Sequence, residues 1–349
     1  MAACVRELWH SRSTRRLHSA RAWPSSLPTG RPVARPTPPR SRLVQAVLGV
    51  VGRSLPPSPR AYRGCRISHA GQPRISNFSL DEVFRNEVIN HGLDPDYTWI
   101  NGYLPIIWEK DRYYIEAFLG DIAGKIGLEL GCNVGATAIM LSRLGARVTA
   151  VDVDKRYVAI AERNAARYGE EKIQFRWVPA AAALPFPAGS FDFVTCASVL
   201  EYVSPQHLPA LIREIDRVLI AGGVLVVLGT SNRLAPREVH SRAWLSNYIP
   251  RRWDRLLQPR RRGIFPWQIT KMLTGYADLV TNDRKRYFNV RRKTGDSPPK
   301  IVALRTIALA GRFLGLSCGA VTPSFFLALK KPDLQTTGEH KDARVAHNC

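Results

Sequence analysis

The chain has 349 residues, of which 45% are hydrophobic, and it carries a formal net charge of +23 at pH 7. This length and apolar content allow one large domain with extensions, or two domains. The six cysteines form no CxxC pair and have no histidine at metal-ligand spacing. A disulfide framework and a zinc site are therefore disfavoured, and a reducing compartment is expected.

The positive charge is confined to particular parts of the chain. Residues 1–76 contain 14 arginines and one acidic residue, and residues 251–293 contain 13 basic and three acidic residues. Residues 77–250, by contrast, contain 17 basic and 20 acidic residues. The centre of the chain is thus close to neutral, which argues against a nucleic-acid-binding surface across the domain.

Residues 1–76 are rich in Arg, Pro, Ser and Ala, so we expect this extension, like the tail 336–349, to be disordered. Three origins for the extension stay open: a mitochondrial transit peptide, a secretory signal whose apolar run (Leu43–Gly52) begins late, or translated sequence upstream of the true start codon. The composition slightly favours the third. We predict a cytoplasmic protein, with peripheral membrane attachment as a further possibility, or a mitochondrial protein if residues 1–76 are genuine.

The first ordered elements are predicted to be two helices. The segment "SLDEVFRNEVINHG" has Ser79 as a helix N-cap, acidic residues in the first turn and a glycine at its end. In the second helix, Trp108–Ile122, the apolar positions Tyr114, Phe118 and Ile122 recur at i, i+4 and i+8. An ordered domain is therefore expected to begin near residue 77 and to extend to 335.

Strands and helices then alternate. The predicted strands are "IGLEL", "RVTAVDVD", "IQFRWV", "FDFVTCASVL" and "GVLVVLGTS", and the helices between them include "QHLPALIREIDRVLIAGG", which its Gly-Gly pair is expected to end. This alternation predicts an α/β fold with a doubly wound, mostly parallel sheet and helices on both faces. The alternation weakens over 233–300, a predicted basic and aromatic insertion on the substrate side. A helix, "VALRTIALAGRFLGL", and a final edge strand, "PSFFLALKKP", are expected to follow.

The turn after the first of these strands carries the main chemical signal. It reads GCNVG over Gly131–Gly135 and leads into a helix. A glycine-rich turn between strand and helix brings backbone N–H groups close to a ligand. Asp152 ends the next strand about 20 residues later, the separation at which an acid accepts the hydroxyls of a ribose. A ribose-bearing cofactor is therefore predicted.

Two residues of this unit distinguish between cofactors. Asn133 stands where a dinucleotide-binding fold has its middle glycine, and Glu129 lies two residues before the turn. A carboxylate at this position repels a pyrophosphate but suits a ligand with a cationic amino-acid end. S-adenosylmethionine has such an end and no phosphate, so it is the predicted cofactor. An NAD-dependent oxidoreductase is the less favoured alternative.

The stretches "LELGCNVGATA", "VTAVDVD", "LPFPAGSFDFVTCASVLEYV" and "REIDRVLIAGGVLVV" together resemble the class I S-adenosylmethionine-dependent methyltransferase family, over about residues 105–232. The likeness is greatest to the branch that reads "LPFPDGSFD…VLEH", and it implies a seven-stranded Rossmann-like sheet. It also implies a set of cofactor-binding residues: Glu129, Gly131, Cys132, Asn133 and Gly135 at the methionine end, Asp152 at the ribose, Val153, Ala180 and Ala181 at the adenine, and Ser198 and Val199 under the sulfonium.

Two positions depart from the family pattern. Ala180 replaces the acid that usually receives the adenine amino group, and Tyr202 replaces the usual histidine. These departures motivate an alternative from another class, a methyltransferase fold that serves as a non-catalytic binding or assembly module.

Methyl transfer from a sulfonium depends chiefly on alignment, and it needs a general base only when the acceptor must lose a proton. His240, which follows the fifth strand close to Glu238, is the first candidate for that base, and Glu201 is the second. Several aromatic residues are candidates for the roof of the acceptor pocket or for plain core: Tyr97, Trp99, Tyr103, Tyr113 and Tyr114.

The predicted activity is therefore methyl transfer, with oxygen as the expected acceptor atom. The acceptor is expected to be a small molecule, a sugar or glycan, or a lipid-linked compound. The basic and aromatic segment 251–293 could contact a phosphate-bearing acceptor, an anionic membrane surface or RNA, of which RNA is the least favoured. A solvated insertion is as good an account of that segment as these three together. No transmembrane span and no metal site are predicted.

Overall fold

The structure is a computed structural model that describes residues 72–333 except 180–182, 240–241, 251–252 and 254–261. The expectations for the tail 336–349, and for the N-terminal extension up to residue 71, lie outside the described residues. The proposed boundaries at 77, 233, 300 and 335 stay predictions.

One sheet organises the described part of the chain. Its strands are β1 Ile126–Leu130, β2 Arg147–Asp152, β3 Gln174–Trp177, β4 Phe191–Ala197, β5 Leu219–Ser231, β6 Ala277–Asp278 and β7 Ser324–Lys330. Their order is β3-β2-β1-β4-β5-β7-β6. Neighbours from β3 to β5 are parallel, and β7 is antiparallel to both β5 and β6. The predicted seven-stranded, mostly parallel sheet is confirmed.

Helices cover both faces of this sheet. They are α1 Phe78–Asn90, α2 Tyr103–Leu119, α3 Ala136–Arg143, α4 Lys155–Arg167, α5 Leu208–Val218, α6 Trp267–Thr270, α7 Leu279–Asn282, α8 Arg284–Lys293 and α9 Pro298–Phe313. Successive residues of β5 point to opposite faces. Val226 and Leu228 join the core that includes residues of α1 to α4, α8 and α9, whereas Leu225 and Val227 join the core of α5 and α6. The doubly wound arrangement is thus confirmed.

Both N-terminal helices begin earlier than the sequence pattern indicated. The N-cap of α1 is Asn77, whose Oδ1 accepts a hydrogen bond from the backbone N–H of Ser79 at 3.0 Å, so the predicted cap at Ser79 is wrong. Helix α2 begins at Tyr103 rather than Trp108. Pro105 lies in its first turn, where a missing N–H leaves no helical hydrogen bond unmade.

The Gly-Gly pair does not end the helix predicted over "QHLPALIREIDRVLIAGG". Helix α5 ends at Val218, and β5 follows at once and includes both Gly222 and Gly223. Gly222 has φ +73°, and the pairing of β4 with β5 changes register between Phe191 and Phe193. The glycines therefore accommodate an irregular start of the strand.

The final strand was predicted to lie at the edge of the sheet, and this prediction is wrong. Strand β7 lies between β5 and β6, and Leu329 and Lys330 pair with Asp278 and Ala277. The true edge strand, β6, has only two residues, too few to show any periodicity in the sequence.

A buried arginine connects the N-terminal helix to the turn after β1. Arg167 is 1% exposed, forms an ion pair with Asp81 of α1, and lies with its guanidinium 3.8 Å from the ring centroid of Phe84. Its Nε donates to Asn164 Oδ1 at 2.8 Å, and Asn164 Nδ2 in turn donates to the carbonyl of Val134 at 2.5 Å. The turn is thus held from behind by a charged and hydrogen-bonded network.

Candidate functional site

The turn between β1 and α3 has an unusual backbone. Gly131, Asn133 and Gly135 all have positive φ, at +70°, +50° and +76°. Asparagine is among the few residues with a side chain that adopt this region readily, which explains its place between the two glycines. At Gly131 an added Cβ would lie 2.5 Å from Cγ2 of Val199. The absence of a side chain therefore allows the turn and the residues after β4 to approach closely.

Asp152 holds this turn through its carboxylate. Its Oδ2 accepts a hydrogen bond from the backbone N–H of Asn133 at 2.9 Å, and its Oδ1 accepts one from the N–H of Asp154 at 3.0 Å. Burial raises the pKa of Asp152, and these backbone hydrogen bonds oppose the rise. Since a carboxylate offers about four acceptor positions, Asp152 retains capacity for the hydroxyls of a ribose.

The residues after β2 and β3 form the adjoining side of the site. The carbonyl of Val153 accepts a hydrogen bond from Trp177 Nε1 at 2.9 Å, and Lys155 Nζ lies 4.0 Å from the centroid of the Trp177 ring. Trp177 was not singled out in the sequence, although its place at the end of the third predicted strand was visible. Ala180 and Ala181, the predicted adenine neighbours, lie outside the described residues.

Glu129 is the most unusual acidic residue of the site. It is 1% exposed, and its Oε2 receives no hydrogen bond from any residue that the structure describes. Burial raises its pKa to about 8, and the nearby charge of Asp152 adds to the rise, whereas hydrogen bonds from Thr137 and from the backbone of Ala138 oppose it. A buried polar atom without a partner is rare, so this oxygen marks a place where a ligand donor belongs.

Cys132 lies in the same acidic surroundings. It is 3% exposed, and burial raises the pKa of its thiol well above the ordinary value, an effect increased by the charges of Asp152 and Glu129. The thiol is therefore held neutral and acts as a small apolar group in the wall of the site.

The ends of β4 and β5 complete the floor. Ser198 has φ +53°, its N–H donates to the carbonyl of Leu228 at 2.8 Å, and its Oγ donates to the carbonyl of Gly229 at 3.2 Å. Glu201 Oε1 accepts the backbone N–H of Ser231 at 3.3 Å. With Val199 packed against Gly131, the structure brings the predicted residues of the first, second and fourth strands to one edge of the sheet.

Helix α2 contributes one group that the sequence suggested, Tyr103, and one that it did not, Asp111. Tyr103, one of the aromatic residues suggested for the roof, is half-buried, and burial raises the pKa of its hydroxyl, with the charges of Asp111, Glu129 and Glu201 adding to the rise. These charges come from α2, β1 and the turn after β4. By contrast, Tyr114 packs against Phe326 with 4.6 Å between ring centroids and belongs to the core.

Asp111, also on α2, is half-buried. Burial raises its pKa to about 7, and Lys110 opposes the rise. Asp111 lies two helical turns after Tyr103 on α2, so both residues are on the same side of the helix. The sequence could have placed the two residues on one side of a helix. It has no feature that distinguishes Asp111 from an ordinary surface carboxylate.

His240, the first candidate for a general base, lies outside the described residues. The neighbouring Glu238 is 1% exposed, and its backbone N–H donates to the carbonyl of Ala243 at 3.1 Å, which makes a tight return of the chain after β5. In the residues that the structure places, no group of three or more His, Cys, Asp or Glu side chains has the arrangement of a metal site.

The chain is similar to known methyltransferases over part of its length. Residues 128–227 match the family model described as a methyltransferase domain. A ubiquinone biosynthesis O-methyltransferase of Acinetobacter baumannii is 32% identical over 120 residues, which are 34% of this chain and 49% of that protein. The protein of the same description from Psychrobacter cryohalolentis is 31% identical over 152 residues, 43% of this chain and 58% of that one.

Among solved structures, a SAM dependent methyltransferase from Aquifex aeolicus has a TM-score of 0.39 and 16% identity, over 49% of this chain and 82% of that one. The chain spans about half the length of the curated relatives that it matches. The strand order and the family match confirm the predicted α/β fold and the resemblance to methyltransferases. The matched segment, residues 128–227, resembles a methyltransferase domain, and S-adenosylmethionine stays the predicted cofactor.

Proposed function

We propose that this protein transfers a methyl group from S-adenosylmethionine to an oxygen atom of a small-molecule, sugar or lipid-linked acceptor. The observation that carries the proposal is the unpartnered, buried Oε2 of Glu129, which lies beside a turn with three positive φ angles. An ammonium group is the donor that best satisfies such a carboxylate. The relatives named as O-methyltransferases support oxygen as the acceptor atom.

Different residues of this site would bind different parts of the cofactor. Glu129 would bind the ammonium end, and Asp152 would bind the ribose while it holds the turn through Asn133. Gly131 and Val199 lie in contact between these two groups, where a larger residue at 131 would not fit. When bound, S-adenosylmethionine supplies a methyl group on a positively charged sulfur, which is a good leaving group.

The acceptor hydroxyl must lose its proton as its oxygen attacks the methyl carbon. His240 stays the predicted base from the sequence, and Glu201 stays the second. Asp111 is a third candidate that emerges from the fold, because it lies on the same helix as Tyr103 and burial raises its pKa to about 7. A base is most effective when its pKa is close to the working pH.

Two alternatives have less support. A nicotinamide-dependent oxidoreductase would have to place a pyrophosphate near the buried carboxylate of Glu129, where like charges repel. A non-catalytic binding module is motivated by Ala180 and Tyr202, the two departures from the family pattern. Such a module would bind the cofactor and transfer nothing.

Isothermal titration with S-adenosylmethionine tests the cofactor site. We expect binding by the full chain, loss of binding in Asp152→Ala, and unchanged binding in Glu171→Ala, which removes an exposed carboxylate. Absence of binding, or equal binding by all three proteins, would refute the proposal. NADH is the competitor that the oxidoreductase alternative predicts.

Comparison of metabolites from wild-type and deletion cells tests the transfer itself. We expect a species lighter by one CH₂ to accumulate in the deletion strain. Purified protein should then convert this species to the heavier one with S-adenosylmethionine, and Asp152→Ala should not. Tight cofactor binding together with identical metabolite profiles would support the non-catalytic module instead.

The compartment and the membrane contact through 251–293 stay predictions, and residues 251–252 and 254–261 of that segment lie outside the described residues. Within the described ranges, no helix has both the length and the apolar character required to cross a bilayer.

A further inference from the structure

Helix α9 exposes large apolar side chains to solvent. Its residues Ile301, Leu304, Ala308 and Gly311 are buried and face the rest of the domain. The opposite side consists of Val302, Ile307, Leu309, Phe313 and the following Leu314, which are 51% to 86% exposed, and we call these five residues the outer face of α9. Apolar side chains grouped in this way on a soluble surface mark a contact site.

Basic residues border the outer face. At about 100° per residue, Arg305 and Arg312 lie along one boundary between the inner and outer faces of α9. Lys300, which forms an ion pair with Asp296, lies along the other. The chain has no acidic residue between Asp296 and Asp333. A helix with an apolar face and cationic borders has the pattern of a segment that lies in the plane of a lipid surface.

The adjacent helix increases this positive charge. Helix α8 contains no acidic residue, and its Lys285, Arg286, Arg292 and Lys293 are exposed. The guanidinium of Arg305 lies 5.2 Å from the ring centroid of Phe288, which brings the cationic border of α9 against α8. Anionic lipid headgroups would neutralise these charges.

We infer that the outer face of α9 binds to the surface of an anionic lipid bilayer, with its apolar side chains among the acyl chains and its basic borders at the headgroups. A second copy of this chain is a poorer occupant, because two such faces would bring like charges together. The N-terminal extension, with 14 arginines, is disfavoured for the same reason. The apolar part of the contact lies C-terminal to 251–293, the segment where the sequence had suggested a membrane contact, whereas the basic residues of α8 lie inside that segment. The inference does not rest on the proposed methyl transfer.

Co-sedimentation of the full chain with vesicles tests this inference. The vesicles are pure phosphatidylcholine, or phosphatidylcholine with 30% phosphatidylserine, in physiological salt. We expect at least tenfold stronger partitioning onto the anionic vesicles, and at least a tenfold loss in the double variant Leu309→Ser/Phe313→Ser. Arg305→Glu/Arg312→Glu should abolish the preference for phosphatidylserine.

Phe78→Ser/Ile89→Ser is the matched control, since it removes two exposed apolar side chains from another helix, α1. It should partition like wild type, and all variants should keep the wild-type melting temperature and cofactor binding. Equal partitioning onto both vesicles, or equal losses in the α1 and α9 variants, would overturn the inference. So would light scattering that shows a wild-type dimer, abolished by Leu309→Ser/Phe313→Ser, without vesicle binding.

Discussion

Replacing Glu129 with glutamine removes the charge of this side chain and keeps the shape of the side chain. The wild-type Oε2 is buried and lacks a partner among the described residues, so a cofactor ammonium would provide its only close donor there. A hydrogen bond between charged groups is worth about 1.5–3 kcal/mol. At about 1.4 kcal/mol per factor of ten, Glu129→Gln should weaken S-adenosylmethionine binding by roughly 10- to 150-fold at pH 8.

The size of this effect should depend on pH. Burial raises the pKa of Glu129 to about 8 in the cofactor-free protein, and only the ionised form attracts an ammonium. Wild-type affinity should therefore fall by about tenfold per pH unit below pH 8, because each pKa unit corresponds to about 1.4 kcal/mol. Glutamine does not titrate, so wild type and Glu129→Gln should have similar affinities for S-adenosylmethionine near pH 6. Above pH 8 the amino group of the cofactor itself loses its proton, and affinity should stop rising.

Stability should show the opposite trend in the cofactor-free protein. The pKa of Glu129 is higher in the folded than in the unfolded chain, so its contribution to stability is present below the ordinary value of 4.5 and is lost as the pH rises towards 8. The melting temperature of Glu129→Gln relative to wild type should therefore increase between about pH 5 and pH 8. This measurement needs no cofactor.

Titration calorimetry from pH 6 to pH 8.5, in buffers of different ionisation enthalpy, measures both the affinity and the protons released. We expect wild type to release close to one proton per cofactor bound at pH 7, and Glu129→Gln to release fewer. The exposed Glu171→Gln serves as the control. Equal affinities for wild type and Glu129→Gln at pH 8, or a difference that does not change with pH, would show that this carboxylate does not bind the cofactor.

Three further substitutions test other parts of the structure. Gly131→Ala adds a Cβ 2.5 Å from Val199 at a positive φ. It should lower the free energy of unfolding by about 1–3 kcal/mol and weaken cofactor binding. Wild-type values in a urea titration and in calorimetry would refute the close approach of the turn to Val199. Arg167→Met removes the partner of Asp81, and we expect the free energy of unfolding to fall by about 3 kcal/mol in the same urea titration. A much smaller fall would show that the ion pair contributes little to stability. Asp111→Asn should lower kcat and remove the rise in rate near pH 7 without changing cofactor affinity, and an unaltered pH–rate profile would exclude this base.

Much of the cofactor half of the site was predictable because its signals are local. The turn after β1, the acid at the end of β2 and the helix between them occupy fewer than thirty consecutive residues, and each residue type follows from backbone geometry or charge. Asn133 illustrates the point, since its φ of +50° explains why a glycine could be replaced there. The acceptor half was harder to predict. Tyr103 was suggested only as one of several aromatic residues, and the charged groups near it come from β1 and from the turn after β4. Asp111 had no signal in the sequence that set it apart, since its raised pKa depends on burial.

The alternation of strands and helices, the methyltransferase resemblance and the predicted cofactor all follow from local sequence patterns. They depend on hydrophobic periodicity and on short spacings along the chain. Three further results required the folded structure: β7 lies inside the sheet, Glu129 Oε2 is buried without a partner among the described residues, and α9 exposes an apolar face to solvent. Each of these results depends on contacts between segments far apart in the chain, because the burial of a residue is set by its neighbours in space rather than by its own pattern.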